Sequence, residues 1–457
     1  MKSRFTFIRS LLTFSLAITY LCNLFIRSAV LDYAVLAMLT AAILMSFAVV
    51  TGSSRLIGYG TFFISFALFF LSQAPLYQWE AALKENLDMV VMFILVPLIG
   101  IPIQYGGYFS ALQNVFLRYI KTNSRFYLLV SSVSAFLGVL INLATIPLVY
   151  QISKASPISQ NHKLLSAAMS RGFATVSIWA PTTAAIALIM RLTGSEWAAF
   201  FPFGFSCGLI CWITGYAMTQ IEERGKAPVK PEAGDEVSKE ELRKVIELSV
   251  FGVALVVFIT LISHFAGIPT ILVVSIASLV YPVIWMAAIG KLPVLFAKFY
   301  SDYFSVSLPR LKNEIVLFMG AGFFVRSITY SRLGDYVPQG LSMLVGQNVF
   351  LLTLVVIFGN LLLSGAGVHP IIPVMIIGGT VHPEAYGMTP TYLALLLSVS
   401  WSTGITISPT SATVIATAGL TGESPLQVGY RWNSLYILVT ASCITAFLTL
   451  AHGFGLI

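Results

Sequence analysis

The sequence predicts an all-α polytopic membrane protein of about 11 transmembrane helices plus two re-entrant hairpins, arranged as two inverted repeats. Three observations carry that expectation. Apolar runs near 20 residues long recur along the chain, two such runs are broken in the middle by polar residues, and one segment reappears 228 residues later.

Hydrophobic residues make up 57% of the 457 and charged residues only 10%, against about a quarter charged in an ordinary soluble protein. Runs of that length can each cross a hydrocarbon core about 30 Å thick, so the lipid bilayer is the expected solvent. The formal charge of +8 sits in short segments between apolar runs. There it reads as an orientation signal and lipid contact rather than a nucleic-acid surface. Cys22, Cys207, Cys211 and Cys443 all fall inside apolar runs without disulfide or zinc spacing and are expected to be buried small hydrophobes. The basic start, Met1 to Arg4, leads into an apolar stretch to about Phe25 without an A-x-A site. A retained first span is favoured over a cleaved signal.

Windowed hydropathy places spans near 6–26, 30–50, 57–73, 89–110, 163–191 and 198–218, and again near 245–264, 268–290, 314–334, 391–419 and 429–452. Two further stretches, about 126–153 and 349–380, are interrupted by Asn, Gly, His or Pro and are expected to be re-entrant hairpins. With the N-terminus cytoplasmic and the C-terminus outside, Lys and Arg then divide 21 inside to 5 outside, as the positive-inside rule requires. Counting each interrupted stretch as one crossing would invert everything between them. Residues 1–27 form an extra N-terminal span, 28–220 the first repeat, 221–244 a charged cytoplasmic linker and 245–457 the second repeat. The aromatic and basic stretch from Leu292 to Lys312 reads as an interfacial helix.

The repeat shows in the alignment of Thr175 to Gly194 with Thr403 to Gly422, where seven of twenty positions are identical, both Pro-Thr pairs included. Polar matches inside membrane spans are costly to reach by chance. Each copy follows an interrupted stretch and each repeat holds five crossings, so the two copies are expected to be inverted.

A proline inside a span removes a hydrogen-bond donor and frees a carbonyl, which is tolerated only where protein or a water-filled cavity supplies a partner. Pro181 with Ser177, Thr182 and Thr183, and Pro409 with Thr406, Ser408, Thr410 and Ser411, therefore offer cages of neutral oxygens suited to Na⁺. The hairpin tips add Asn142 and Thr145 in the first repeat and Ser364, Gly365 and His369 in the second. Half-helices ending at such tips aim amides at a bound group and favour an anion. The blander alternative is that Ser and Thr bridge helices while Pro only kinks them. His369 could titrate, bind substrate or simply break a helix. Arg326 is a candidate partner for a substrate carboxylate, with snorkelling to the interface as the alternative. Gln104 and Asn360 are weaker candidates of the same kind.

In its hairpins, broken helices and duplicated Pro-Thr cores, the chain resembles the ion transporter superfamily, which includes divalent-anion/sodium symporters, citrate carriers and arsenite permeases. Asn142, Thr145 and Pro147 match that family's first hairpin tip. In the second, Gly365-Ala366-Gly367 follow Ser364 where the family has Asn-Thr. The resemblance implies a hairpin and broken helix that move together as an elevator-like transport domain, beside a scaffold that often forms a homodimer.

The function expected is a secondary active transporter in the cell membrane, a Na⁺-coupled symporter of a small organic anion. The alternatives are an exporter or antiporter on the same fold, or a lipid-handling membrane protein. An enzyme is not expected: HExxH and GxSxG are absent from the sequence, and the five histidines do not pair at metal-ligand spacing. Na⁺ is the only ion expected, with no cofactor and no nucleic-acid partner.

Overall fold

A computed structural model describes residues 2–224 and 238–457, so the middle of the 221–244 linker lies outside the described residues. The described chain is helical throughout, and eleven of its helices are long and apolar enough to cross a membrane. Their membership differs from the sequence reading at two places. Asn123–Ile141, the first half of the stretch read as a hairpin, qualifies by itself; at 1.5 Å per residue its 19 residues reach about 28 Å. Lys312–Tyr330 is a helix but is not among the eleven, because Lys312, Glu314 and Arg326 lower its hydropathy. The expected span 89–110 runs instead from Leu76 to Tyr105, with a 3₁₀ turn at Val96–Ile99, and Tyr108–Tyr119 is a separate helix. Leu292 to Arg310 is helical, with a π-helical stretch at Phe299–Ser307.

The helices fall into two units, one of Met1–Pro102, Phe265–Gly340 and Met375–Thr380, the other of Ile103–His264, Leu341–Val374 and Val381–Ile457. The first is held by aromatic and small-residue packing. Phe62, Phe66, Phe69 and Trp79 gather around Phe323 with ring centroids 5.3–6.0 Å from it. Helices Ser53–Leu71 and Lys312–Tyr330 approach so closely that a Cβ at Gly58 would lie 2.3 Å from Val316 Cγ1, and one at Gly320 2.5 Å from Thr61 Oγ1. Small residues permit such approaches where lipid offers helices no hydrophobic drive to associate.

The second unit contains both interrupted helices, and their registers repeat. His162–Trp179 and Ala184–Thr193 flank the first break; Pro390–Ile407 and Ala412–Thr421, each 228 residues on, flank the second. The caps repeat as well. Asn161 and Thr389 accept from the amides of Leu164 and Tyr392, Thr183 and Ser411 from those of Ile186 and Val414. Gly194 and Gly422 end the second segments in the left-handed conformation, which costs glycine least. Short polar side chains and glycine at these spacings therefore dictate the break and both ends.

The two broken helices run antiparallel against each other. Ser402 Oγ donates to Ala174 O at 2.7 Å, Ser166 near the start of the first meets Thr421 at the end of the second, and Ser195 just after the first meets Thr391 at the start of the second. Two expectations are corrected here. Arg171, counted with the inner loop charges, is buried in the middle of its helix, where Asn433 Oδ1 (2.8 Å) and Trp432 O (3.0 Å) accept from it. Cys207 and Cys211 are buried, but Cys22 and Cys443 are exposed on outward helix faces, where lipid supplies the apolar surroundings.

Candidate functional site

Fourteen of the fifteen candidate residues lie in the second unit, and Arg326 lies in the first. Arg326 Nε donates to Gln78 Oε1 at 3.1 Å, and its guanidinium lies 3.8 Å from the Glu85 carboxylate. The other fourteen form two assemblies, each a broken-helix loop with the hairpin of its own half.

In the first assembly the helix His162–Trp179 ends with Ala180 N donating to Val176 O at 2.9 Å. Pro181 has no N–H to offer the next carbonyl, so Ser177 O loses its helical donor. Thr183 turns back: its hydroxyl donates to Ala180 O at 2.9 Å while capping the following helix. The Thr182 hydroxyl, almost fully buried, leaves the loop and donates to Val139 O of the hairpin at 2.5 Å. Val139 is two residues from the end of Asn123–Ile141, in the turn where an α-helix leaves carbonyls without donors of its own. A loop hydroxyl thus satisfies a hairpin carbonyl.

Asn142 follows at φ 50°, ψ −134°, a conformation that costs a non-glycine residue about 1–3 kcal/mol. The chain then makes one 3₁₀ turn and re-enters helix at Thr145–Ser153. Thr145 is fully buried and its hydroxyl has no hydrogen-bond partner among the described residues. An unsatisfied hydroxyl inside a membrane protein is a ready ligand position.

In the second assembly Ser408 N donates to Gly404 O at 2.9 Å, and Pro409 deprives Ile405 O of its donor. Here the loop repairs the loss itself, because Ser411 Oγ donates to Ile405 O at 2.6 Å while capping Ala412–Thr421. Thr406 is tied to Ser402 O within its helix. Thr410 Oγ1 donates to Gly367 O of the second hairpin at 3.1 Å and lies 2.9 Å from Ser408 Oγ.

The second hairpin has a different tip. Its first helix, Val349–Gly365, ends one turn before the position equivalent to Ile141, in a turn closed by Gly367 N donating to Ser364 O at 3.0 Å and Val368 N to Leu363 O at 2.9 Å, with Gly367 at φ 96°. Ser364 is buried beside Asn360, whose amide donates to Ser400 O at 2.5 Å. His369 Nδ1 accepts from Ile371 N at 3.2 Å, and its ring meets Trp401 edge-on at 6.1 Å.

Sequence reasoning missed the glycines that let these parts meet. A Cβ on Gly172 would lie 2.4 Å from Ser131 O of the first hairpin, and one on Gly404 2.7 Å from Pro370 Cβ and 2.8 Å from Ser364 Oγ of the second. Glycines at the start and middle of the flanking helices likewise admit the breaks: a Cβ on Gly204 would meet Ile178 O at 2.9 Å, and one on Gly429 would meet Ile407 O at 2.6 Å. Chemically, each assembly concentrates hydroxyl and carbonyl oxygens. No group of three or more His, Cys, Asp or Glu side chains poised for a metal occurs among the described residues.

The fold is similar to that of the solved Alcanivorax borkumensis YdaH transporter, with a TM-score of 0.52 at 16% identity over 79% of this chain and 85% of that one. A second structure, Neisseria gonorrhoeae MtrF of a class of antimetabolite efflux pumps, matches at a TM-score of 0.38 and 13% identity, over 92% of this chain and 85% of that one. At such identities the likeness concerns the fold. No protein-family model and no curated protein sequence matches.

Proposed function

We propose that this chain is a secondary active transporter, a Na⁺-coupled symporter of a small organic anion built from two inverted repeats of the ion transporter superfamily type. The observation that carries the reading is the duplicated, antiparallel pair of Pro-Thr breaks, each bonded to its own hairpin. The fold likeness to YdaH, itself a transporter, supports it.

The donor set favours a monovalent hard cation. Carbonyls freed by Pro181 and Pro409, with the hydroxyls of Thr182, Thr183, Thr410 and Ser411, are neutral oxygens; divalent ions are usually held by carboxylates. Thr145, buried and without a partner among the described residues, joins the first set with Asn142 in this reading. The N-termini of Ala184–Thr193 and Ala412–Thr421 supply partial positive charge for the anion. Both hairpins, apart from Met375–Thr380, and both broken helices fall in one unit, as a body moving elevator-like needs.

Purified protein tested across carboxylates, oxyanions and nucleosides by thermal shift should be stabilised by a carboxylate, more strongly with Na⁺ than with choline. Stabilisation by no anion, or equally in both salts, counts against the proposal.

A further inference from the structure

The bonds Thr182 Oγ1 to Val139 O and Thr410 Oγ1 to Gly367 O share a property beyond their chemistry. Donor and acceptor are 43 residues apart in both, and the two donors, like the two acceptors, are 228 apart. One bond is therefore made twice, although the hairpins differ in sequence and in tip conformation. A contact kept while its surroundings diverge marks a joint rather than a packing accident.

We infer that the Thr182 and Thr410 hydroxyls are paired latches, each holding one hairpin tip closed on the loop of its own repeat, and that each hairpin opens by breaking its own latch. The acceptors explain why a hydroxyl is needed. Val139 O lies in the last turn of Asn123–Ile141, where an α-helix leaves its carbonyls without donors of its own, and Gly367 O lies in the turn that follows Val349–Gly365. Each needs a donor that can withdraw when the tip opens, and a threonine side chain can do so without unwinding any helix. In this role, separate from the ion contact proposed for the same oxygens, Thr182 and Thr410 act by positioning the hairpins.

The two latches are not equal. Ser408 lies 2.9 Å from Thr410 and, with Thr410 donating to Gly367 O, becomes the donor to Thr410. This relay polarises the second latch. Ala180 holds the equivalent position in the first repeat and offers no hydroxyl. The second latch is a two-hydroxyl chain and the first a single bond.

The inference goes beyond the transport reading by assigning a gate to each hairpin. It is tested without substrate or Na⁺, so a missing Na⁺ effect, which would count against the coupling ion, leaves it standing. Hydrogen–deuterium exchange of the full chain in choline chloride should show Thr182→Val speeding exchange about fivefold to tenfold at residues 139–147 and not at 366–372. Thr410→Val should do the reverse. Thr182→Ser and Thr410→Ser, which keep the hydroxyl, should behave as the native chain. Ser408→Ala, the milder change, should speed only the second hairpin, and by less than Thr410→Val. Exchange unchanged in the valine variants, raised in both hairpins by either one, or raised equally by serine and valine would overturn the inference.

Discussion

The two hairpin assemblies solve one problem with different chemistry. In the first, Thr183 caps its helix and turns to Ala180 O, Ser177 O loses its helical donor to Pro181, the hairpin tip holds Asn142 at positive φ, and the Thr145 hydroxyl has no partner among the described residues. In the second, Ser411 closes on Ile405 O, Thr410 is backed by Ser408, and a flexible glycine turn replaces the strained asparagine. Among the described residues the first assembly leaves the Thr145 hydroxyl at its hairpin tip without a partner, while in the second the buried hydroxyls without one, Ser400 and Thr417, lie on the flanking helices rather than at the tip. The two halves keep one backbone plan and differ in the oxygens they leave at the break, so on the transport reading proposed above the first assembly is the more open ion position.

The approach of each broken helix to its hairpin separates the halves most sharply. Gly172 faces backbone atoms of Ser131, which cannot rotate away, whereas Gly404 faces Pro370 together with the side chains of Ser364 and Asn360. Gly172→Ala should therefore cost about 3 kcal/mol and Gly404→Ala about 1–2 kcal/mol, read as thermal midpoints in detergent. Equal losses would mean that the second hairpin is as rigidly seated as the first.

Arg171 belongs to the first broken helix alone, with Val399 at the equivalent position of the second. Its guanidinium also stacks 4.3 Å from the Tyr436 ring centroid. Arg171→Gln should lower stability by about 2–3 kcal/mol, because two buried acceptors lose a charged donor. Val399→Ala, measured in the same way, should cost about 1 kcal/mol. A smaller effect at Arg171 than at Val399 would show that the charge does not clamp the halves.

The smallest expected difference concerns the caps. Thr183→Ala and Ser411→Ala remove the same helix cap, worth about 1 kcal/mol, but Ser411→Ala also strands Ile405 O. The second variant should melt lower than the first, and the reverse order would contradict the asymmetry described above.

Much of this architecture was legible in the sequence because its causes are local. Proline removes a donor wherever it sits, Ser and Thr cap at fixed spacing, and Gly ends a helix in the left-handed conformation, so the breaks at 180–183 and 408–411 appear where the Pro-Thr cores predict them. What depends on partners distant in sequence stayed hidden. Arg171 looks like a loop charge until Asn433 and Trp432, some 260 residues away, are brought beside it. The roles of Gly172 and Gly404 exist only against their hairpins. The neighbours of Arg326, Gln78 and Glu85, lie far from it in sequence and appear only in the fold. The twin latches needed the repeat and the fold together, since neither Val139 nor Gly367 carries a side-chain signal.

The most direct test of the transport reading is uptake into proteoliposomes of the carboxylate identified by thermal shift, with and without an imposed Na⁺ gradient. The native chain should accumulate it only when Na⁺ is high outside, and Asn142→Ala, Thr410→Ala and Ser411→Ala should each abolish accumulation while still purifying as folded protein. Equal uptake without any Na⁺ gradient, or uptake unchanged in all three variants, would contradict the account.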